Sequence, residues 1–333
     1  MEAVARQFAT DEHVLVLRNG WFSYRWTEIF ESGSIPASHT VLKARPVAAA
    51  DPGSPHAQYA PCPVDEVAAR IRAERPAVVF APHVETSTGM ILPDDYVREV
   101  ARAVREVGGL FVLDCIASGA IWADMEDLGV DVVISAPQKG WTAPAGAALV
   151  MLSERAADRM VEKPDGTSFS LSLSRWAAVT DAYVAGGFAY HTTVPTDVLR
   201  ELHAVGAETL RIGLPELKAA QAALGTAARD LLAGRGLTSV AAPGYAAPGV
   251  LVHYSPPGRD NPTMLRLFWE RGVQIAMGVP WRIDEPAGLH TFRLGLFGLD
   301  KMADIPKCVG TLRTALDAVL EEAGCDGPVN RAA

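Results

Sequence analysis

One of the chain's six lysines, Lys139, stands five residues after the end of a short apolar run, 130–134, instead of lying on a charged helix face. A lysine held at the end of a buried strand, with its pKa lowered, offers the free amine that a Schiff base with pyridoxal phosphate (PLP) requires. A second apolar run, 110–113, ends in Asp114. PLP chemistry needs a carboxylate facing the pyridine nitrogen, so that the protonated ring draws electrons from the substrate. Each residue also has an ordinary reading: a solvated loop lysine, and a helix cap or metal ligand for the aspartate. The pair is more specific than either member, because open α/β sheets bind ligands at the carboxyl ends of their strands.

The elements that must carry these residues alternate. The sequence predicts a helix over 1–9, a strand over 13–18 leading into NGWFSYRW, helix continuing over 27–32, and a strand over 40–44. A Pro/Ala-rich surface connection, 45–63, precedes a helix at 64–74 with Pro63 near its start. A strand at 77–81, the polar loop HVETSTG, a helix at 94–107, the two strands at 110 and 130, a strand at 147–152 and a helix from Ser153 follow. This β-α-β alternation implies a mainly parallel sheet flanked by helices. After Gly186 the texture changes. FAYHTTVPT is turn-rich, and 197–234 reads as helix broken at Gly206, Gly213 and Pro215. A strand at 249–254, a helix at 262–271, strands at 273–277 and 291–296, a helix at 304–322 and a frayed tail complete the chain. We therefore expect a large domain over 1–213 and a smaller C-terminal α/β domain over 214–333.

Bulk properties narrow the function. Of 333 residues, 49% are hydrophobic and 21% charged, an ordinary globular balance, and a net charge of −9 argues against nucleic acid or an anionic membrane as main partner. The four cysteines, Cys62, Cys115, Cys308 and Cys325, form no CxxC or ligand-like cluster, which favours a reduced, cytoplasmic setting. The eight histidines have no metal-site spacing, and His83 and His191 are expected to bond locally. No secretion signal, apolar membrane-spanning run or internal repeat is evident.

HVETSTG, LFVLDCIAS and DVVISAPQKGWTAPAG, in this order and spacing, resemble class V aminotransferases of PLP-dependent fold type I, and within these the alanine–glyoxylate / serine–pyruvate group. The resemblance implies that Lys139 holds the cofactor and shuttles the substrate proton, and that Asp114 pairs with the pyridine nitrogen. It implies further that Ser87 bonds near the ring hydroxyl and Asp114, that Gln138 contacts the phosphate with support from Ser135, and that Phe22 stacks on the ring. Trp21 is the neighbouring candidate for that stack. Tyr190 and Thr193 match residues that reach the phosphate of the neighbouring subunit's cofactor, which makes the expected unit a homodimer. Arg293, in TFRLGLFG, alternates with Phe292 and Leu294 and so points to the other sheet face. The resemblance assigns it to the substrate α-carboxylate, which a guanidinium can grip through both oxygens.

The implied activity is transfer of an amino group from a small amino acid such as alanine or serine to a 2-oxo acid such as glyoxylate or pyruvate, by a ping-pong Schiff-base mechanism. The alternatives are other PLP chemistry, such as a lyase or desulfurase, and a non-catalytic homologue. Desulfurases usually carry histidine at the places of Gln138 and Phe22, and a mobile cysteine that is not found here. Relative to the resemblance, the chain begins inside the helix whose preceding Gly/Ser/Thr turn binds the phosphate, so half of that cup and the N-terminal dimer contacts are expected to be missing. The segment 210–218 lacks the basic pattern common in relatives, and 280–288 is a candidate specificity loop before Arg293.

Overall fold

The computed structural model describes residues 1–47, 56–163 and 168–322; the expected tail and Cys325 lie outside them. Six strands form the main sheet: β1 (His13–Arg18), β2 (Ser38–Lys43), β3 (Val78–Pro82), β4 (Leu110–Asp114), β5 (Val132–Ser135) and β6 (Leu149–Leu152). Their spatial order is β6-β5-β4-β3-β1-β2, all parallel except β6, which runs antiparallel along the edge. Every residue of β3 and β4 is buried, as expected for strands covered on both faces. The coverings are α1 (Glu2–Phe8), α2 (Trp21–Gly33) and α6 (Glu154–Glu162) in one core, with Phe8, Trp26 and Met160. On the other side α3 (Val64–Glu74) and α4 (Asp94–Glu106) contribute Ile71, Val97 and Val104 to a second core.

Chain order and strand order together locate the functional edge. From β1 the chain passes to β2 on one side, then crosses to β3 on the other. The switch point therefore lies between the carboxyl ends of β1 and β3, where ligands enter folds of this kind.

A second sheet has the order β7-β9-β8, from β7 (Val250–Tyr254), β8 (Ala276–Met277) and β9 (Thr291–Gly295). Helices α9 (Leu214–Ala233), α10 (Asn261–Glu270) and α12 (Ile305–Glu322) pack on it around Leu224, Phe268, Phe292 and Leu316.

Several boundaries differ from the sequence reading. Helix α2 starts at Trp21, so Trp21 and Phe22 occupy its first turn. The stretch predicted as a polar loop, HVETSTG, is buried almost throughout and forms a small hairpin, Val84–Glu85 against Met90–Ile91. Helix α8 (Thr196–Ile212) runs through Gly206 and ends only at Gly213. The connection at 45–63 contains a paired strand fragment, Arg45–Pro46 with Tyr59–Ala60. A helix absent from the sequence reading, α7 (Leu173–Val184), opens on a cap in which the Ser172 hydroxyl accepts from Arg175 N.

Candidate active site

The buried carboxylate of Glu85 organises the switch point. It accepts hydrogen bonds from the backbone N–H of Phe22 (3.2 Å) and Ser23 (2.9 Å), from the Ser23 hydroxyl (2.7 Å), and from the N–H and hydroxyl of Ser87 (3.1 and 2.8 Å). The Ser87 oxygen in turn accepts from Trp21 N at 2.9 Å. An anion is thus set at the amino end of α2, where unpaired N–H groups and the helix dipole favour it. Gly20 is required by the fit. A Cβ there would lie 2.0 Å from Ser87 Oγ and 2.7 Å from Glu85 Cδ.

Asp114 ends β4, opposite Pro82 of β3 and Ile134 of β5. It is buried, and only its Oδ1 holds a hydrogen bond, from Ile116 N at 3.0 Å. Burial pushes its carboxyl up to about 6, against the pull of the Ile116 N–H. Beyond Asp114 the chain turns through Gly119, which has φ of +65°. Gly140, immediately after Lys139, packs backbone to backbone on this turn, since a Cβ on Gly140 would sit 2.2 Å from Gly119 O. The two loops that carry Asp114 and Lys139 are thereby locked together.

Lys139 is half-buried and has no carboxylate within ion-pair distance among the described residues. Burial, and then the positive charge of Arg293, lower its pKa. Arg293 projects from β9, half-buried between the buried Phe292 and Leu294, and its Nε donates to Met277 O at 2.7 Å. Its guanidinium carbon lies 5.9 Å from the centroid of the Phe22 ring. The Trp21 ring instead meets Arg282, at 5.3 Å, so Phe22 is the aromatic beside Arg293.

The structure therefore brings Lys139, Asp114, Phe22, Ser87 and Arg293 to one sheet edge. Gln138 follows β5 with an exposed side chain, and Ser135 Oγ accepts from Trp141 Nε1. Tyr190 and Thr193 lie on the surface, with their hydroxyls 3.5 Å apart, and neither contacts this group within the chain. His83 Nδ1 pairs with Ser118 Oγ at 2.8 Å and His191 Nε2 with Phe169 O at 2.8 Å, as expected of local bonding. Glu85 does not stand out in the sequence; a lone carboxylate within a Ser/Thr segment after a buried strand is its only trace.

PLP is a planar, anionic ring, and the residues fit it. Asp114 has an oxygen, Oδ2, left without a hydrogen bond for a cationic ring nitrogen, Phe22 presents a ring, Lys139 an amine of lowered pKa and Arg293 a cation. Two further buried atoms at this edge, Asn19 Nδ2 and His83 Nε2, have no protein partner. No group of three metal-ligating side chains occurs among the described residues.

The family profile described as Aminotransferase class-V matches residues 55–189, the span that holds Glu85, Asp114 and Lys139. The segment 55–189 is that of a class V aminotransferase. The profile and the relatives named below are those of transaminases, whose cofactor is PLP. Alanine–glyoxylate aminotransferase 1 of Saccharomyces cerevisiae is 26% identical over 300 residues, which span 87% of this chain and 72% of the yeast protein. An aspartate aminotransferase structure from Thermus thermophilus superposes with a TM-score of 0.75 at 28% identity, covering 96% of this chain and 82% of that one. Alanine–glyoxylate aminotransferase from Nostoc shares the fold, with a TM-score of 0.79 at 23% identity over 96% of this chain and 78% of its own. The expectation of fold type I, with its mainly parallel sheet, is thus met.

Proposed function

We propose that the chain is a class V aminotransferase that moves an amino group from a small amino acid, alanine- or serine-like, to a 2-oxo acid such as glyoxylate or pyruvate, by a ping-pong Schiff-base exchange. The observation that carries the reading is the convergence of a half-buried lysine of lowered pKa, a buried strand-end carboxyl and an arginine beside an aromatic face. Relatives from Saccharomyces cerevisiae and Hyphomicrobium methylovorum, an alanine–glyoxylate and a serine–glyoxylate aminotransferase, support the choice of acceptor.

When bound, PLP would supply an aldehyde carbon to carry the amino group and an electron-accepting ring. Asp114 serves the ring nitrogen as a counter-charge that water cannot displace. Lys139 Nζ, its pKa lowered by burial and by Arg293, would hold the cofactor and remove and return the proton at the substrate α-carbon. Arg293 grips the α-carboxylate with a fork of two N–H groups, which fixes the α-carbon near Lys139. Glu85 and Ser87 hold the first turn of α2, and so the Phe22 ring, in place. Gln138 and Ser135 are assigned to the phosphate side.

Cys115, beside Asp114, is buried with its thiol pushed up to about 12, which disfavours it as a desulfurase nucleophile. We take residues 1–213 as the cofactor-binding domain and 214–333 as the smaller one, on the strength of the separate core around Leu224, Phe268 and Leu316. We also propose a homodimer. Val184, Phe188, Tyr190 and Leu210 are 84, 77, 71 and 66% exposed, a strongly apolar surface for a single chain. In that arrangement Tyr190 and Thr193 reach the second copy's site. The free thiols of Cys62, Cys115 and Cys308 are in keeping with a cytoplasmic enzyme, and no described helix is long and apolar enough to cross a membrane.

The test is steady-state amino transfer from alanine or serine with Arg293→Gln beside the wild type. A KM raised at least tenfold in the variant is expected; an unchanged KM removes Arg293 from the substrate site.

A further inference from the structure

Between β8 and β9 the chain makes a long excursion, 278–290, whose middle, 280–285, leaves the second sheet and packs on elements of the first. Trp281 and Ile283 are buried, and the Trp281 ring meets Tyr59 of the 45–63 connection at 5.1 Å. Lys43, at the end of β2, donates to both carboxylate oxygens of Asp284, at 2.7 and 2.9 Å. Arg18, at the end of β1, donates to Arg282 O at 3.5 Å. The Arg282 guanidinium carbon lies over the rings of Trp21 and Tyr24 at the start of α2, 5.3 and 5.5 Å from their centroids.

The excursion is built to hold one shape. Arg282 and Asp284 have φ of +62° and +67°, a left-handed conformation that residues with side chains keep only where their surroundings fix it. The Glu285 carboxylate supplies that constraint by accepting from the N–H groups of Trp281, Arg282 and Ile283, at 2.5, 3.1 and 2.9 Å. The base is closed too. Gly278 N donates to Thr291 O at 2.7 Å, and the Asn261 side chain donates to Gly278 O and accepts from Thr291 N. Arg293 stands two residues beyond Thr291, and its Nε donates to Met277 O, immediately before Gly278. A displacement of the middle is therefore carried to Arg293 from both ends of the excursion. The start of α2, by contrast, is held independently by Glu85.

We infer that residues 280–285 form a strap that sets Arg293 against the start of α2, and that Arg282 is a positioning residue for the substrate carboxylate, acting through the Trp21 and Tyr24 rings instead of touching the substrate. The inference rests on the substrate-site reading of Arg293 given above. An exposed guanidinium over a ring is a modest contact, as is an exposed ion pair, so the strap works through the sum of Arg282 on two rings and Asp284 on Lys43.

Steady-state amino transfer from alanine or serine by the PLP-loaded protein tests it, with the double variant Arg282→Asn/Asp284→Asn beside the wild type. Asparagine tolerates the left-handed backbone, so the strap keeps its path while losing the guanidinium and the ion pair. KM for the amino acid is expected to rise about fivefold or more, while kcat and PLP uptake change by less than about twofold and the urea midpoint stays in place. Arg282→Lys, which keeps a cation for the rings, should stay closer to the wild type than Arg282→Asn does. An unchanged KM in the double variant overturns the inference. So does a rise that comes with lost PLP uptake or a lowered urea midpoint, which would make the strap a merely structural element, or an Arg282→Lys as impaired as Arg282→Asn. Arg293→Gln separates the two claims: a KM that survives it sinks the substrate-site reading itself, whereas a raised KM there beside an unchanged one in the double variant sinks only the strap.

Discussion

Asp114→Asn exchanges cofactor chemistry for stability, and the exchange depends on pH. In the apoprotein the carboxyl is buried and titrates at about 6, against 3.8 for an unperturbed aspartate. A raised native pKa means that the native state binds this proton more tightly than the unfolded chain. The stabilisation from the bound proton is complete below pH 3.8 and is lost as pH rises through 6. Each tenfold difference in proton affinity is worth about 1.36 kcal/mol, so the ionised carboxyl costs the fold about 3 kcal/mol at pH 7.5 and about half of that at pH 5. Asparagine keeps the size of the side chain and can still accept from Ile116 N, yet cannot ionise. Urea unfolding of the apoprotein should therefore find the variant more stable by about 3 kcal/mol at pH 7.5 and by about half as much at pH 5. The same variant should bind PLP at least tenfold more weakly, having lost the charge that faces the ring nitrogen. An equal gain at the two pH values, or a loss of stability at pH 7.5, would refute the reasoning, since neither follows from desolvation of a carboxylate.

Other perturbations follow from the packing. Glu85→Ala leaves the N–H groups of Phe22, Ser23 and Ser87 and the Ser87 hydroxyl without this acceptor, at about 1–3 kcal/mol for each group that stays buried, while the Ser23 hydroxyl keeps Gly20 O. A total loss of about 3–5 kcal/mol in denaturant unfolding is expected, and a loss below about 1 kcal/mol would show that α2 does not depend on this carboxylate. Gly140→Ala drives a methyl group into Gly119 O and must displace the turn that carries Lys139. Its far-ultraviolet circular dichroism should match the wild type while PLP uptake falls at least tenfold; full uptake would mean that the Gly119–Gly140 contact does not set the lysine's position.

The parts of the fold that are legible in the sequence are those in which one residue pattern dominates. Runs such as AVVFA at 77–81 and LFVL at 110–113 announce fully buried parallel strands, and the polar residues that follow the runs at 110 and 130 announce Asp114 and the Lys139 loop. The start of α2 is not legible, because Gly20 provides no side-chain cap and the capping carboxylate, Glu85, lies far along the chain. For the same reason HVETSTG reads as a polar loop. Its polar groups are buried because they satisfy one another and the α2 backbone. Gly206 reads as a helix breaker, yet its cost of about 1 kcal/mol is small within a helix of 17 residues. The neighbourhood of Phe22 and Arg293 is hidden in the sequence as well, since it arises only when β9 is brought against the first turn of α2.

The most direct test of the central claim is the near-ultraviolet and visible spectrum of the protein after incubation with PLP, recorded for the wild type and for Lys139→Ala. The account predicts a visible absorbance band that is lost in the variant and that bleaches in the wild type when alanine or serine is added. A wild type without such a band, or a band that persists unchanged in Lys139→Ala, would contradict it.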